Sequence, residues 1–138
     1  MNSYSYEEIE VGQKEGFSVT VTEEALNGFK NITGDINPLH NDADFAVKKG
    51  YKDKVGYGML TAAYLSTLAG VYLPGEKSLI QGVELKFSQP VYAGDSLDIQ
   101  GEVAEKNDTF KVIKIKVTIR NQDNKKVLKG SMQIGVMD

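Results

Sequence analysis

The chain has 138 residues, of which 41% are hydrophobic and 25% charged, with a formal net charge of −3 and no cysteine. That length supports one domain, residues 1–138, with a real core, and speaks against two. The charge balance argues against nucleic acid as a main partner, and the missing cysteines remove disulfides, thiolate nucleophiles and thiolate metal sites, as suits a reducing cytoplasm.

The first residues, "MNSYSYEEIEVG", show neither a basic nor an apolar leader region, and the longest apolar stretch, "GMLTAAYLSTLAGVYL", is interrupted by hydroxyl side chains. Neither export nor membrane spanning is expected. Residues 17–21, "FSVTV", alternate apolar and polar side chains and predict a short strand. Thr22 is then placed to cap a helix whose first turn carries Glu23 and Glu24. Ala25, Leu26, Phe29 and Ile32 fall on one face of that helix, and Gly34 is a natural left-handed stop after it. Ala43, Phe45, Ala46 and Val47 predict a brief second helix, followed by the lysine-rich loop "KKGYKDK".

From Gly58 to Leu73 the apolar positions Met59, Leu60, Ala63, Leu65, Leu68, Ala69 and Tyr72 predict a helix of about 16 residues, closed by Pro74 and Gly75. The period then changes to two, through "LIQGVELKFSQPV", "DSLDIQGEVAEK", "TFKVIKIKVTIR" and "KKVLKGSMQIGVM". Turn residues at "KND" and "NQDNK" predict that the last three of these four strands form an antiparallel meander. Val112, Ile113, Ile115, Val117 and Ile119 stand against Lys111, Lys114, Lys116 and Thr118, so one sheet face is expected wet and the other buried. A long apolar helix beside such a sheet is an α+β layer packing. The helix is apolar on more than one side, so its surplus surface calls for a helical flap from residues 22–49 or for a dimer whose sheets join edge to edge.

Two stretches carry candidate chemistry. In "TGDINPLHND", residues 33–42, Asp35, Asn37, Pro38 and the only histidine, His40, lie within six positions. Pro38 pushes Asn37 out of the helical region, so a loop is expected to bring Asp35 and His40 together. The residues leave two readings open: Asp35 and Asn37 as turn formers with a polar loop histidine, or a carboxylate and an imidazole sharing one water or proton. Serine hydrolysis lacks a G-x-S-x-G elbow, and no second histidine completes a zinc set around Asp35, Asn37 and His40, so no metal is expected. In "VGYGML", residues 55–60, Gly58 opens the long helix. Its amide is either an anion-stabilising donor or a plain packing residue at an element boundary.

Together these stretches resemble the MaoC-like, (R)-specific enoyl-CoA hydratase family of hot-dog folds. Phe29, Gly34, Asp35, Asn37, Pro38, Leu39, His40 and Ala46 fit the family's aromatic-led G-D-x-N-P-[apolar]-H run in register. "GML" opening the long helix, "LPG" ending it and "VELKFSQPVYAGDSL" entering the sheet agree too, so the resemblance covers most of the chain. It implies a long central helix wrapped by a twisted antiparallel sheet, with a helical overhang carrying the active-site loop. The implied reaction is addition of water to a trans-2-enoyl thioester to give the (R)-3-hydroxyacyl thioester, or the reverse dehydration.

On this resemblance Asp35 and His40 are the catalytic pair, Asn37 holds the loop, the Gly58 amide is the oxyanion donor, and Ser66 matches a serine near the active site. No separate cofactor is implied, since coenzyme A or acyl carrier protein is part of the substrate. A homodimer or a dimer of dimers is implied as well. One departure stands out: the family usually has histidine before the helix-opening glycine, where this chain has Tyr57, a hydrogen-bond donor of a different kind that bears on acyl group or carrier. Lys48, Lys49, Lys52 and Lys54 lie between the two stretches, where a basic entrance for a polyanionic carrier could form. Leu65 and Leu68 are candidates for the acyl pocket. Two rivals remain, a hot-dog thioesterase directing water at the thioester carbonyl and a non-catalytic acyl-thioester-binding subunit.

Overall fold

In a computed structural model, which describes residues 1–138, strand β1 (Lys14–Thr20) runs into three helices, α1 (Glu23–Thr33), α2 (Pro38–Asn41) and α3 (Ala43–Lys48). The long helix α4 (Gly58–Thr67) follows, continued by a wider π-type turn over Leu68–Tyr72, in which the Leu73 N–H reaches back to the Leu68 carbonyl at 2.8 Å. The remaining chain forms β2 (Ser78–Phe87), β3 (Ser96–Asn107), β4 (Val112–Arg120) and β5 (Lys126–Val136). Helix through to Tyr72 agrees with the predicted span, and the widened last turn is the part that periodicity did not reveal.

The five strands form one antiparallel sheet in the order β1-β3-β4-β5-β2. The expected meander is β3-β4-β5, and its hairpins turn through Lys111 and Asn124, both at positive φ. One face of the meander is lined by Ile99, Val103, Ile113, Ile115, Val117, Ile119, Leu128, Met132 and Ile134, all at most 1% exposed. These side chains meet Leu65, Leu68, Ala69 and Leu73 in one core. The helix lies so close that a Cβ on Gly101 of β3 would stand 3.0 Å from the Leu68 side chain. No helix is long and apolar enough to cross a membrane.

The predicted flap exists, because α1 to α3 form an overhang, but it leaves apolar surface uncovered. Helix α1 has no fully buried residue, and Ile32, expected on its inner face, is 87% exposed. The reason is that Leu26 packs on the core and Phe29 on Tyr57, while Ile32 has no such neighbour. Edge strand β2 likewise leaves Leu79, Ile80, Val83 and Phe87 exposed, whereas the opposite edge, β1, exposes no large apolar side chain.

The N-terminal segment is anchored in a way the sequence did not suggest. Tyr6 is buried, its hydroxyl donates to Asp108 Oδ1 at 2.6 Å, and the ammonium groups of Lys106 and Lys111 lie 4.3 and 4.7 Å from its ring centroid. Burial, and then the bond to the Asp108 carboxylate, push the Tyr6 phenol up to about 12. An unfolded tyrosine ionises near about 10, so this contribution to stability is complete below that pH and is lost as pH rises through the folded value. Urea unfolding series across that window should show stability falling with pH, and less steeply in Tyr6→Phe. Equal slopes for the two proteins would remove Tyr6 as the cause.

Candidate active site

The loop after α1 is built from short-range hydrogen bonds. Gly34 takes the left-handed conformation, φ 74°, and its N–H closes α1 on the Lys30 carbonyl at 2.8 Å. Asp35 Oδ1 accepts the Asn37 N–H at 3.1 Å, and Asn37 Oδ1 accepts the Leu39 N–H at 2.9 Å. Where the sequence suggested a plain loop, residues 38–41 thus form one helical turn. Asn37 caps it, and Pro38 stands at the first helical position, where a missing N–H costs nothing. Asp35 is a turn former through one oxygen, yet its second carboxylate oxygen has no protein partner. The two readings of this loop are therefore compatible.

His40 does not bond to the Asp35 carboxylate. Its Nδ1 lies 2.8 Å from the Val55 carbonyl oxygen. A carbonyl only accepts, so Nδ1–H is the donor, and Nε2 is the ring nitrogen left without a protein partner. The Val55 backbone is itself fixed, its N–H donating to Leu39 O at 3.0 Å while the neighbouring Gly56 N–H donates to Val91 O at 2.6 Å. The segment before α4 is thereby stitched to the overhang on one side and to the sheet side of the molecule on the other.

Gly58 is the first residue of α4, so its N–H has no acceptor within the helix, and it borders the same cleft as His40. The cleft measures about 290 Å³, and Thr61, Phe87 and Val91 form part of its wall. A Cβ at position 58 would stand 3.2 Å from the Phe87 ring, so glycine lets that aromatic edge close over the helix start. A larger groove of about 740 Å³ runs along the outer sheet face past Glu84, Glu105 and Lys114, away from His40.

The remaining predicted residues separate. Asn37 holds the loop, as its cap bond requires. Leu65 and Leu68 lie in the core at 2% and 0% exposure and are not on the cleft wall, because their side of α4 faces the sheet. Ser66 is exposed, is not on the cleft wall and makes no side-chain hydrogen bond. Tyr57 is buried and also off the cleft wall: its hydroxyl donates to the Asp35 carbonyl at 2.6 Å. Of the lysines, Lys54 pairs with Glu23 at 3.5 Å, and the Lys52 ammonium lies 4.4 Å from the Tyr92 ring centroid beside the cleft's Val91.

Sequence reading missed Val55, Phe87 and Asn41. Val55 acts through its backbone, and Phe87 arrives from a strand 29 positions beyond Gly58, so neither leaves a local pattern. Asn41, four residues after Asn37, could have been found as a helical i,i+4 partner, since its Nδ2 donates to the Asn37 carbonyl at 2.9 Å.

Comparison with known proteins bears on the family and the fold. The family described as the MaoC like domain matches residues 7–125. An (R)-specific enoyl-CoA hydratase from Aeromonas caviae is 36% identical over 99 residues, 72% of this chain and 74% of that protein. A 3-hydroxybutyryl-CoA dehydratase from Methylorubrum extorquens is 34% identical over 100 residues, which span 72% of this chain and 64% of the dehydratase. Among solved structures, the unliganded R-hydratase PhaJ1 from Pseudomonas aeruginosa superposes with a TM-score of 0.90 at 34% identity, covering 97% of this chain and 86% of that one.

Proposed function

The chain belongs to the MaoC-like domain family, and from that premise we propose that it adds water to trans-2-enoyl thioesters, giving (R)-3-hydroxyacyl thioesters, or runs the reverse dehydration. The names of its relatives support the reaction class. The observation that carries the reading is that His40, with Nδ1 committed to the Val55 carbonyl, shares a cleft with the free amide of Gly58.

The proposed role of Asp35, which is not on the cleft wall, rests on the family resemblance, and those of His40 and Gly58 are supported by these contacts. The free carboxylate oxygen of Asp35 orients a water, and His40 Nε2 is the lone pair that can take a proton from it. The water oxygen attacks C3, the C2=C3 electron pair moves toward the thioester carbonyl, and the Gly58 N–H stabilises the resulting enolate-like oxygen. Return of a proton from the Asp35 and His40 pair to C2 completes the balance, leaving H at C2 and OH at C3. The acyl group is carried on coenzyme A or acyl carrier protein, and the chemistry calls on no further cofactor.

We also propose a homodimer formed at β2. Leu79, Ile80, Val83 and Phe87 on that edge are exposed, an unfavourable arrangement for a strand left alone in water, and Phe87 adjoins the cleft. Light scattering at micromolar concentration should give a mass near twice 15.1 kDa, falling to the monomer value in Val83→Asp. A monomeric native chain would sink the dimer reading.

Crotonyl-CoA tests the reaction. Loss of the enoyl thioester absorbance with formation of the (R)-hydroxy product is expected. Release of free thiol instead would favour a thioesterase, and binding without turnover across short and long chains on both carriers would favour a non-catalytic subunit.

A further inference from the structure

The side chain of Tyr57 joins all three parts of the candidate site. Its ring packs between Phe29 of α1, with centroids 4.9 Å apart, and His40 of α2, with centroids 4.3 Å apart. Its hydroxyl donates to the Asp35 carbonyl at 2.6 Å and accepts from Asn41 Nδ2 at 3.2 Å. The same Asn41 amide, which has two hydrogens, donates the other to the Asn37 carbonyl at 2.9 Å. Tyr57 is also the residue bonded to Gly58 and is the N-cap of α4, although its side chain makes no capping bond there.

This network adds a side-chain tie to the two bonds that Val55 makes with His40 and Leu39. Helix α1 has no fully buried residue, and the hydrogen bonds inside residues 33–42 are local, so only these ties set the distance of the Asp35 loop from α4. The hydroxyl of Tyr57 spans 22 positions of sequence to do so. A buried phenol requires partners for both its proton and its oxygen, and here both are met by the segment that carries Asp35 and His40.

We infer that Tyr57 is a positioning residue: its hydroxyl sets the Asp35 loop against α4 and its ring backs the His40 imidazole, holding the carboxylate, the imidazole and the Gly58 amide at their working separations. The inference rests on the proposed hydration for its kinetic consequence but not for its structural one. Tyr57 does not line the cleft. It acts through Asp35 and His40.

Tyr57→Phe retains the ring and removes the latch, so kcat for crotonyl-CoA is expected to fall roughly 10- to 100-fold, as for a misplaced reacting group. KM should stay within about threefold, since substrate contacts are untouched. Asn41→Ala should cost a similar factor alone and little more in the Tyr57→Phe background, because both changes open one network. Amide hydrogen exchange provides an arm independent of turnover. In Tyr57→Phe the amides of Asn37, Leu39 and His40 should exchange faster while those of β4 keep their protection.

Unchanged kcat together with unchanged exchange in residues 35–41 would overturn the inference. So would faster exchange throughout β4 with a parallel fall in melting temperature, which would mark Tyr57 as a general stability residue. If the native chain fails to hydrate any enoyl thioester, the hydration reading falls, and the exchange result alone decides for or against the latch.

Discussion

Asp35→Asn is expected to lower the rate of enoyl thioester hydration by about 10²- to 10⁴-fold, the range associated with loss of one proton-transfer group. The fold should not change. Asp35 Oδ1 is occupied as a turn acceptor for the Asn37 N–H, and the carbonyl oxygen of an asparagine side chain can make the same bond. What asparagine cannot supply is a second acceptor: the oxygen proposed to orient water becomes an NH₂ donor. Initial rates with crotonyl-CoA, read beside a melting curve, separate the two effects. A variant with native melting and near-native rate would remove Asp35 from the mechanism.

His40→Ala is expected to cause a rate loss of the same order, with a stability cost that Asp35→Asn lacks. The alanine leaves the Val55 carbonyl without its donor and uncovers one face of the buried Tyr57 ring. An unpaired polar group in a partly buried site costs about 1–3 kcal/mol. His40→Asn separates these consequences, because an asparagine Nδ2 can stand where the imidazole Nδ1 stands and donate to the same carbonyl. It should recover much of the stability and none of the rate. Urea unfolding and kcat measured on both variants check this. A His40→Asn protein that hydrated crotonyl-CoA at near-native rate would mean that Nε2 takes no part.

The fate of individual residues explains how much of this could be read from the chain. Gly34, Asp35, Asn37 and Pro38 were legible because each acts within four positions, through left-handed backbone, side-chain turn bonds or a proline at a helix start. The alternation through β4 was legible because burial on one sheet face has a period of two. Ile32 and Leu65 were read from a similar periodicity, and in neither case did it place their surroundings. A helical stripe says which side chains share a face, and it is silent about what that face meets. For Ile32 it meets nothing in this chain, and for Leu65 it meets the sheet where an acyl pocket wall had been expected.

Sequence alone therefore determined the period of each main element, the caps that start and stop α1, and the presence of a carboxylate, an imidazole and a helix-opening glycine in a family-like order. Each of these follows from interactions between residues close in the chain, or from a pattern repeated along it. Only the tertiary structure decided which nitrogen of His40 carries the proton, where the Tyr57 hydroxyl points, that Phe87 closes over Gly58, and that β2 is an exposed apolar edge. Those depend on contacts across 15, 22 and more positions, set when the overhang, α4 and the sheet pack together, and no local spacing encodes them.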